Sequence, residues 1–86
     1  MDFNEAAVFV KVVEAGGFSA AARQMGLPTS TVSQRVARLE KRLGVTLLQR
    51  TTRQVKLTDV GELFYRHATV GLDHLNEAEA AVTATT

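Results

Sequence analysis

Glycine punctuation limits what this chain can become more than any other feature. Gly16-Gly17, Gly26 and Gly44 divide its first half into three stretches, each about the length of a single short helix. Glycine takes up the positive φ of a helix C-terminus at little cost, so each reads as a stop. Before the first stop, Phe3, Ala6, Val10 and Val13 recur at helical spacing with Phe9 beside them, which predicts a helix over residues 3–15. Ser19 suits an N-cap for the second helix, and Ala20-Ala21-Ala22-Arg23-Gln24-Met25 is strongly helix-favouring. Pro28 pushes Leu27 towards an extended backbone, and a third helix is expected over residues 29–43. Two helices joined by a turn of about four residues, the first rich in alanine and so able to approach closely, read as a helix-turn-helix or as a generic helical hairpin.

Beyond Gly44 the pattern changes. Val45 to Leu48 and Val55 to Leu57 are short apolar segments around Gln49-Arg50-Thr51-Thr52-Arg53-Gln54, which predicts a small β-hairpin with a basic tip. Strands so short need support from the helices. Thr58 can cap a last helix, with Asp59 favoured by the dipole in its first turn, and the pattern carries that helix to about Val82. The expected architecture is mainly α. Residues 1–57 are expected to hold three helices and a short β-hairpin, a wing, and residues 58–86 a long C-terminal helix.

Eighty-six residues make one small domain. The absence of cysteine excludes disulfides and thiolate metal sites. No apolar run approaches the roughly 20 residues needed to cross a bilayer. Met1-Asp2-Phe3-Asn4-Glu5 lacks the basic start and apolar centre of a signal peptide. No membrane partner is expected, and the expected location is cytoplasmic. The net charge is only +1, but it is segregated. Residues 23–56 carry Arg23, Arg35, Arg38, Lys41, Arg42, Arg50, Arg53 and Lys56 against Glu40 alone, and the remaining residues are predominantly acidic. A basic middle between acidic ends marks either a polyanion-binding face or an ordinary solvated surface.

The third helix gives that charge a direction. At about 100° per residue, Val32, Val36, Leu39 and Leu43 share the side expected to face the core. The opposite side carries Ser30, Gln34, Arg38 and Lys41, with Thr31 adjoining and Ser33 and Arg35 on the flanks. A helix in the major groove reads base edges with its N-terminal residues. Glutamine can pair with adenine N6 and N7, and serine or threonine hydroxyls take several partners. Arginines further along would meet phosphates. Arg50 and Arg53 on the hairpin could reach phosphates or a narrow minor groove, where arginine is favoured. The plain alternative makes the hydroxyl residues helix caps and the arginines solubilising.

These residues belong to a longer pattern. It opens with Phe9-x-x-Val12-x-x-x-Gly16-Gly17-Phe18-Ser19-x-Ala21-Ala22. It continues through Val32-Ser33-x-x-Val36-x-x-Leu39-Glu40-x-x-Leu43-Gly44-x-x-Leu47-Leu48-x-Arg50 and ends with Leu57-Thr58-x-x-Gly61. In order and spacing it resembles the DNA-binding domain of LysR-type transcriptional regulators over nearly the whole chain. The resemblance implies a mainly α fold, a winged helix-turn-helix over residues 1–57 (three-helix core plus short β-hairpin wing) followed by a long C-terminal linker helix over residues 58–86. It implies sequence-specific binding of double-stranded DNA as a homodimer, without cofactor or metal. Taken with the helix geometry, it assigns base contacts to Thr29, Ser30, Ser33 and Gln34, and phosphate or minor-groove contacts to Ser19, Thr31, Arg35, Arg38, Arg50 and Arg53. It also implies that any small-molecule effector acts through a C-terminal domain absent from this chain. Three positions depart from common family usage. Pro28-Thr29-Ser30-Thr31 stands where Ser-Gln-Pro-Ala is frequent, Gln34 where a basic residue is frequent, and Leu48 where phenylalanine is frequent.

Leu57, Gly61, Phe64, Ala68, Gly71, Leu75, Ala78 and Val82 step by fours and threes, the seam of helices that pack on one another. At ~1.5 Å per residue, a helix from Thr58 to Val82 spans roughly 37 Å, too long for so small a domain to bury. If two copies run antiparallel and cross near Gly71, Phe64 meets Ala78 of the partner subunit, Ala68 meets Leu75 of the partner subunit, and Gly61 meets Val82 of the partner subunit. Large faces small each time, as close packing requires. The expected dimer interface is Phe64, Ala68, Gly71, Leu72, Leu75, Ala78 and Val82, and the expected target is an interrupted inverted repeat.

Two rival classes rest on the same residues. His67 and His74 stand two helical turns apart, about 10 Å, too far to share one metal ion. No nucleophile–base pair and no glycine-rich phosphate loop is present, so an enzyme is not expected. A helical module for an acidic protein partner would carry the same basic face, and the salt dependence of DNA binding separates the two.

Overall fold

The computed structural model describes residues 1–50 and 54–85. The elements run α1 (Phe3–Ala15), α2 (Phe18–Met25), α3 (Thr29–Leu43), β1 (Leu48–Arg50), β2 (Val55–Leu57) and α4 (Asp59–Thr85). The fold is thus mainly helical with one small antiparallel sheet, as the sequence predicts. Gly16, Gly26 and Gly44 close the first three helices at φ of 85°, 66° and 70°. There each returns its amide to carbonyls of the last turn.

Three boundaries differ from the sequence reading. α2 begins at Phe18 and its N-cap is Gly17, not Ser19. The Gly17 carbonyl accepts the Ala21 amide at 3.1 Å, which draws Phe18 and Ser19 into the first turn and leaves Ser19 exposed. The strand expected from Val45 starts only at Leu48. The residues before it are tied to α3 instead. Val45 donates its amide to the Glu40 carbonyl at 3.2 Å. The Glu40 carboxylate then accepts the amides of Leu47 at 2.7 Å and Leu48 at 3.2 Å. α4 also runs past Val82 to Thr85.

Phe9, Val12, Val32, Val36, Leu39 and Leu47 form the fully buried centre. Ala21 and Ala22 are buried beside them, small enough for α2 to close on its neighbours. The first half of α4 joins this core. Phe64 and Tyr65 meet the Phe9 ring edge-on, with centroids 5.6 and 6.4 Å away. Leu43, expected to face the core, is 37% exposed, and Phe3, which shares the helical spacing of α1, is 60% exposed. Each lies at the extreme end of its helix, where no neighbour covers it, and each lines a surface groove along α4.

β1 and β2 pair antiparallel with Leu48 opposite Leu57 and Arg50 opposite Val55. Thr58 fastens the hairpin to α4. Its amide donates to the Leu47 carbonyl at 3.0 Å, its hydroxyl donates to the Thr46 carbonyl at 2.6 Å, and its Oγ1 accepts the Gly61 amide at 3.0 Å. Gly61 is buried against this junction, and a Cβ there would overlap the Leu47 carbonyl. That closeness corrects one expected contact, since a glycine turned into its own chain cannot also face Val82 of a partner subunit.

Candidate nucleic-acid interface

Helix α3 buries Val32, Val36 and Leu39 and turns the rest of its surface outward. Thr29, Ser30, Gln34, Arg38 and Lys41 are exposed, while Thr31, Ser33 and Arg35 are half-buried on the flanks. The alternative in which the hydroxyls serve as caps fails at the start of the helix. The N-cap is Pro28, and no side chain caps the first turn. The Thr29 and Ser30 hydroxyls are therefore left on the surface. Ala37 lies exposed on the same face, between Ser30 and Ser33 in angle. Sequence reasoning missed it, because an alanine in a helix carries no signal beyond good propensity. A methyl there can approach a thymine methyl closely.

The structure also sorts the charges that composition could only count. Glu40, the one acidic residue of the basic stretch, points its carboxylate at the Leu47 and Leu48 amides, away from the outward face. Arg42 is withdrawn in the other direction, with its Nη1 2.9 Å from Oε1 of the buried Glu5. This is an ion pair whose N–H groups miss the oxygen, so Glu5 Oε1 makes no hydrogen bond. Arg42 thus belongs to the junction of α1 and α3, and the outward basic face rests on Arg35, Arg38 and Lys41.

Arg50 sits at the end of β1 and folds back onto the helices. Its Nη2 donates to the Ser33 hydroxyl oxygen at 2.8 Å, and its guanidinium carbon lies 4.0 Å from the centroid of the Phe18 ring. One side chain thereby touches the start of α2 and the middle of α3 from the wing. Arg53 falls outside the described residues.

The far half of α4 has little of its own chain to pack on. Leu75 and Val82 are 51% and 65% exposed, and Gly71 and Ala78 are exposed as well. Beside this stretch runs an apolar groove of about 400 Å³, lined by Phe3 and Ala6 of α1 and by Phe64, Ala68, Leu72 and Leu75 of α4. A second groove of the same size lies between Leu43, Val45, Val60 and Leu63. His67 borders both grooves, and His74 stands 4.0 Å from Glu77 on the solvent side. Among the described residues no group of three His, Asp or Glu side chains converges to hold a metal ion. Among them, too, no helix is long and apolar enough to cross a membrane.

Residues 3–62 match the family model described as bacterial regulatory helix-turn-helix protein, lysR family. An HTH-type transcriptional regulator of Xanthomonas campestris pv. campestris is 51% identical over 81 residues, which cover 94% of this chain and 24% of the relative. The chain thus spans about a quarter of the length of that relative. The fold overlays the BenM DNA-binding domain in complex with catB site 1 DNA with a TM-score of 0.93 at 30% identity, covering 99% of this chain and 96% of that one. It overlays the CbnR DNA-binding domain in its DNA complex with a TM-score of 0.88, also at 30% identity, covering 99% and 98%. An uncapped α3 face free of carboxylates, a wing folded onto it and a family match through all three core helices lead to one conclusion: the chain belongs to the lysR family of bacterial regulatory helix-turn-helix proteins, and this is its DNA-binding domain.

Proposed function

We propose that the domain binds an interrupted inverted repeat as an antiparallel homodimer, and that Thr29, Ser30, Ser33 and Gln34 read base edges in the major groove. The observation that carries the reading is the first half of α3, where hydroxyl and amide side chains stand outward without being used as caps. Arg35, Arg38 and Thr31 flank this face at phosphate positions. Ser19, exposed in the first turn of α2, adds a backbone contact beside a helix N-terminus. Arg53, which the sequence puts between the two hairpin segments, completes the set of proposed phosphate or minor-groove contacts, and Arg50 joins it from β1, bonded to Ser33. Residues 1–57 supply the reading head and 58–86 the pairing helix, a division of roles within one shared core. A regulator of this kind works where the chromosome is, in the cytoplasm.

Dimerisation rests on the seam of Phe64, Ala68, Gly71, Leu72, Leu75, Ala78 and Val82, half-buried at Phe64, Ala68 and Leu72 and exposed at the rest. With Gly61 turned inward, Val82 of the partner subunit falls instead beside the groove of Leu43, Val45, Val60 and Leu63.

Selection of bound sequences from a random DNA pool tests the proposal. Two half-sites in inverted orientation are expected. The log of the affinity should fall linearly with log salt, with a slope of about 0.9 per neutralised phosphate. Gln34→Ala should alter preference at one base position by about 1–3 kcal/mol and leave the others unchanged. A preferred sequence that survives Gln34→Ala intact removes Gln34 from the reading face. Salt-independent binding would favour an acidic protein as the partner instead.

A further inference from the structure

We infer that Arg50 is a positioning residue that sets what Ser33 can read, making its hydroxyl a hydrogen-bond donor to DNA. The inference rests on the proposal above that Ser33 faces a base. A serine hydroxyl in the major groove is ordinarily ambiguous, because it can donate to an acceptor edge or accept from a donor edge. Arg50 tips that balance by occupying one of the two lone pairs of the hydroxyl oxygen. A guanidinium has five N–H donors and no acceptor, so the 2.8 Å contact can run only from Arg50 Nη2 to Ser33 Oγ. The Ser33 hydrogen must therefore point away from Arg50. A hydroxyl oxygen that accepts from a cation is also polarised into a stronger donor and a poorer acceptor.

Arg50 is held for this task from a second side. The Phe18 ring lies under the guanidinium carbon at 4.0 Å, a cation–π contact that holds the side chain from α2. β1 fixes the base of the side chain, because Arg50 pairs with Val55 at the end of the hairpin. The hydroxyl on α3 is thus oriented from the wing and from the first turn of α2 together. That explains why an arginine placed to look like a wing contact turns inward.

The consequence is a stated preference. Guanine offers N7 and O6 to a donor, thymine offers O4 and adenine offers N7, whereas cytosine presents only its N4 amino group in the major groove. Cytosine is therefore disfavoured at the base facing Ser33, and the discrimination depends on Arg50.

A double-mutant cycle on the 86-residue chain tests this, measuring affinity for the preferred site and for the same site with cytosine at the Ser33 position. Ser33→Ala should lower the ratio of the two affinities by about 5- to 20-fold, the lower part of the range for one good base contact. Arg50→Ala should lower the same ratio at the same position by a similar factor, and the double variant should lose no more than either alone. Phe18→Leu, which leaves the hydrogen bond possible but removes the ring, should lose part of it. Because the readout is a ratio between two DNAs on one protein, loss of fold in a fraction of molecules does not imitate it. Three results overturn the inference. If Ser33→Ala relaxes no position, the base-reading role of Ser33 fails and the inference with it. If Ser33→Ala relaxes a position that Arg50→Ala leaves intact, the inference alone fails. If Arg50→Ala weakens every sequence equally and lowers the salt slope by about one phosphate, Arg50 is a backbone contact instead.

Discussion

Gly71→Glu is expected to convert the protein to a monomer at micromolar concentration and to lower its affinity for a two-half-site target by about 10²–10⁴-fold, the factor that linkage of two binding events supplies. The two glycines of α4 explain why. Glycine in a helix interior costs about 1 kcal/mol relative to alanine, so each needs a reason to be there. Gly61 has one inside the chain, the Leu47 carbonyl that leaves no room for a Cβ. Gly71 has none, since a Cβ there meets nothing within 4 Å. The proposed pairing would supply a reason, because a second α4 crossing at that point needs the space that a side chain would fill. A glutamate would place two like charges at that crossing while leaving each monomer undisturbed. Sedimentation and DNA titration of the same samples decide the matter, and a dimer that persists in Gly71→Glu would move the pairing surface elsewhere. Gly71→Ala is the informative companion, since it should raise helix stability while crowding the crossing.

Gly61→Ala should have the opposite character, breaking the fold and not the pairing. The added methyl would fall on the carbonyl oxygen, carbonyl carbon and Cα of Leu47, all backbone atoms with no flexible tip to give way. The same carbonyl accepts the Thr58 amide at 3.0 Å, so the clash cannot relax without loosening the junction of hairpin and α4. Overpacking of this kind costs about 3 kcal/mol, more than the roughly 1 kcal/mol of improved helix propensity returns. For a domain of this size that lowers Tm by roughly 8–16 °C. Thermal unfolding followed by circular dichroism measures it, and a Tm within a few degrees of the parent would mean that the junction is looser than it looks.

These two glycines also mark the limit of what the sequence could tell. They lie on the same seam with the same letter, and only the position of Leu47 separates the one committed inward from the one left open. Where information is local, reading was reliable. The stops at Gly16, Gly26 and Gly44, the limits of α1 and α3, and the Thr58 cap all follow from neighbours within a few residues. Where the outcome depends on what a distant element covers, it was not. Phe3 and Leu43 keep core spacing but sit at helix ends that nothing roofs over. Ser19 is a good cap residue, but Gly17 takes the cap position and Ser19 falls in the first turn. The contact of Arg50 with Phe18 and Ser33 joins three elements and leaves no trace in spacing. The outward face of α3 was legible in outline because one buried stripe fixes the opposite side, although Ala37 carries too little chemistry to announce itself.

The edge-on stack of Phe64 and Tyr65 against Phe9 has a consequence for the operator. It makes α4 a strut welded to the reading head and not a tether swinging from it. In the proposed homodimer, a pair of such subunits would work as a fixed-gauge calliper, whose span is set by helix length and crossing point. One base pair added to or removed from the spacer turns a half-site by roughly 35° and shifts it about 3.4 Å along the axis. A calliper without a hinge could not follow that movement, so under the proposed pairing spacer length, and not only half-site sequence, is expected to be part of what the protein recognises.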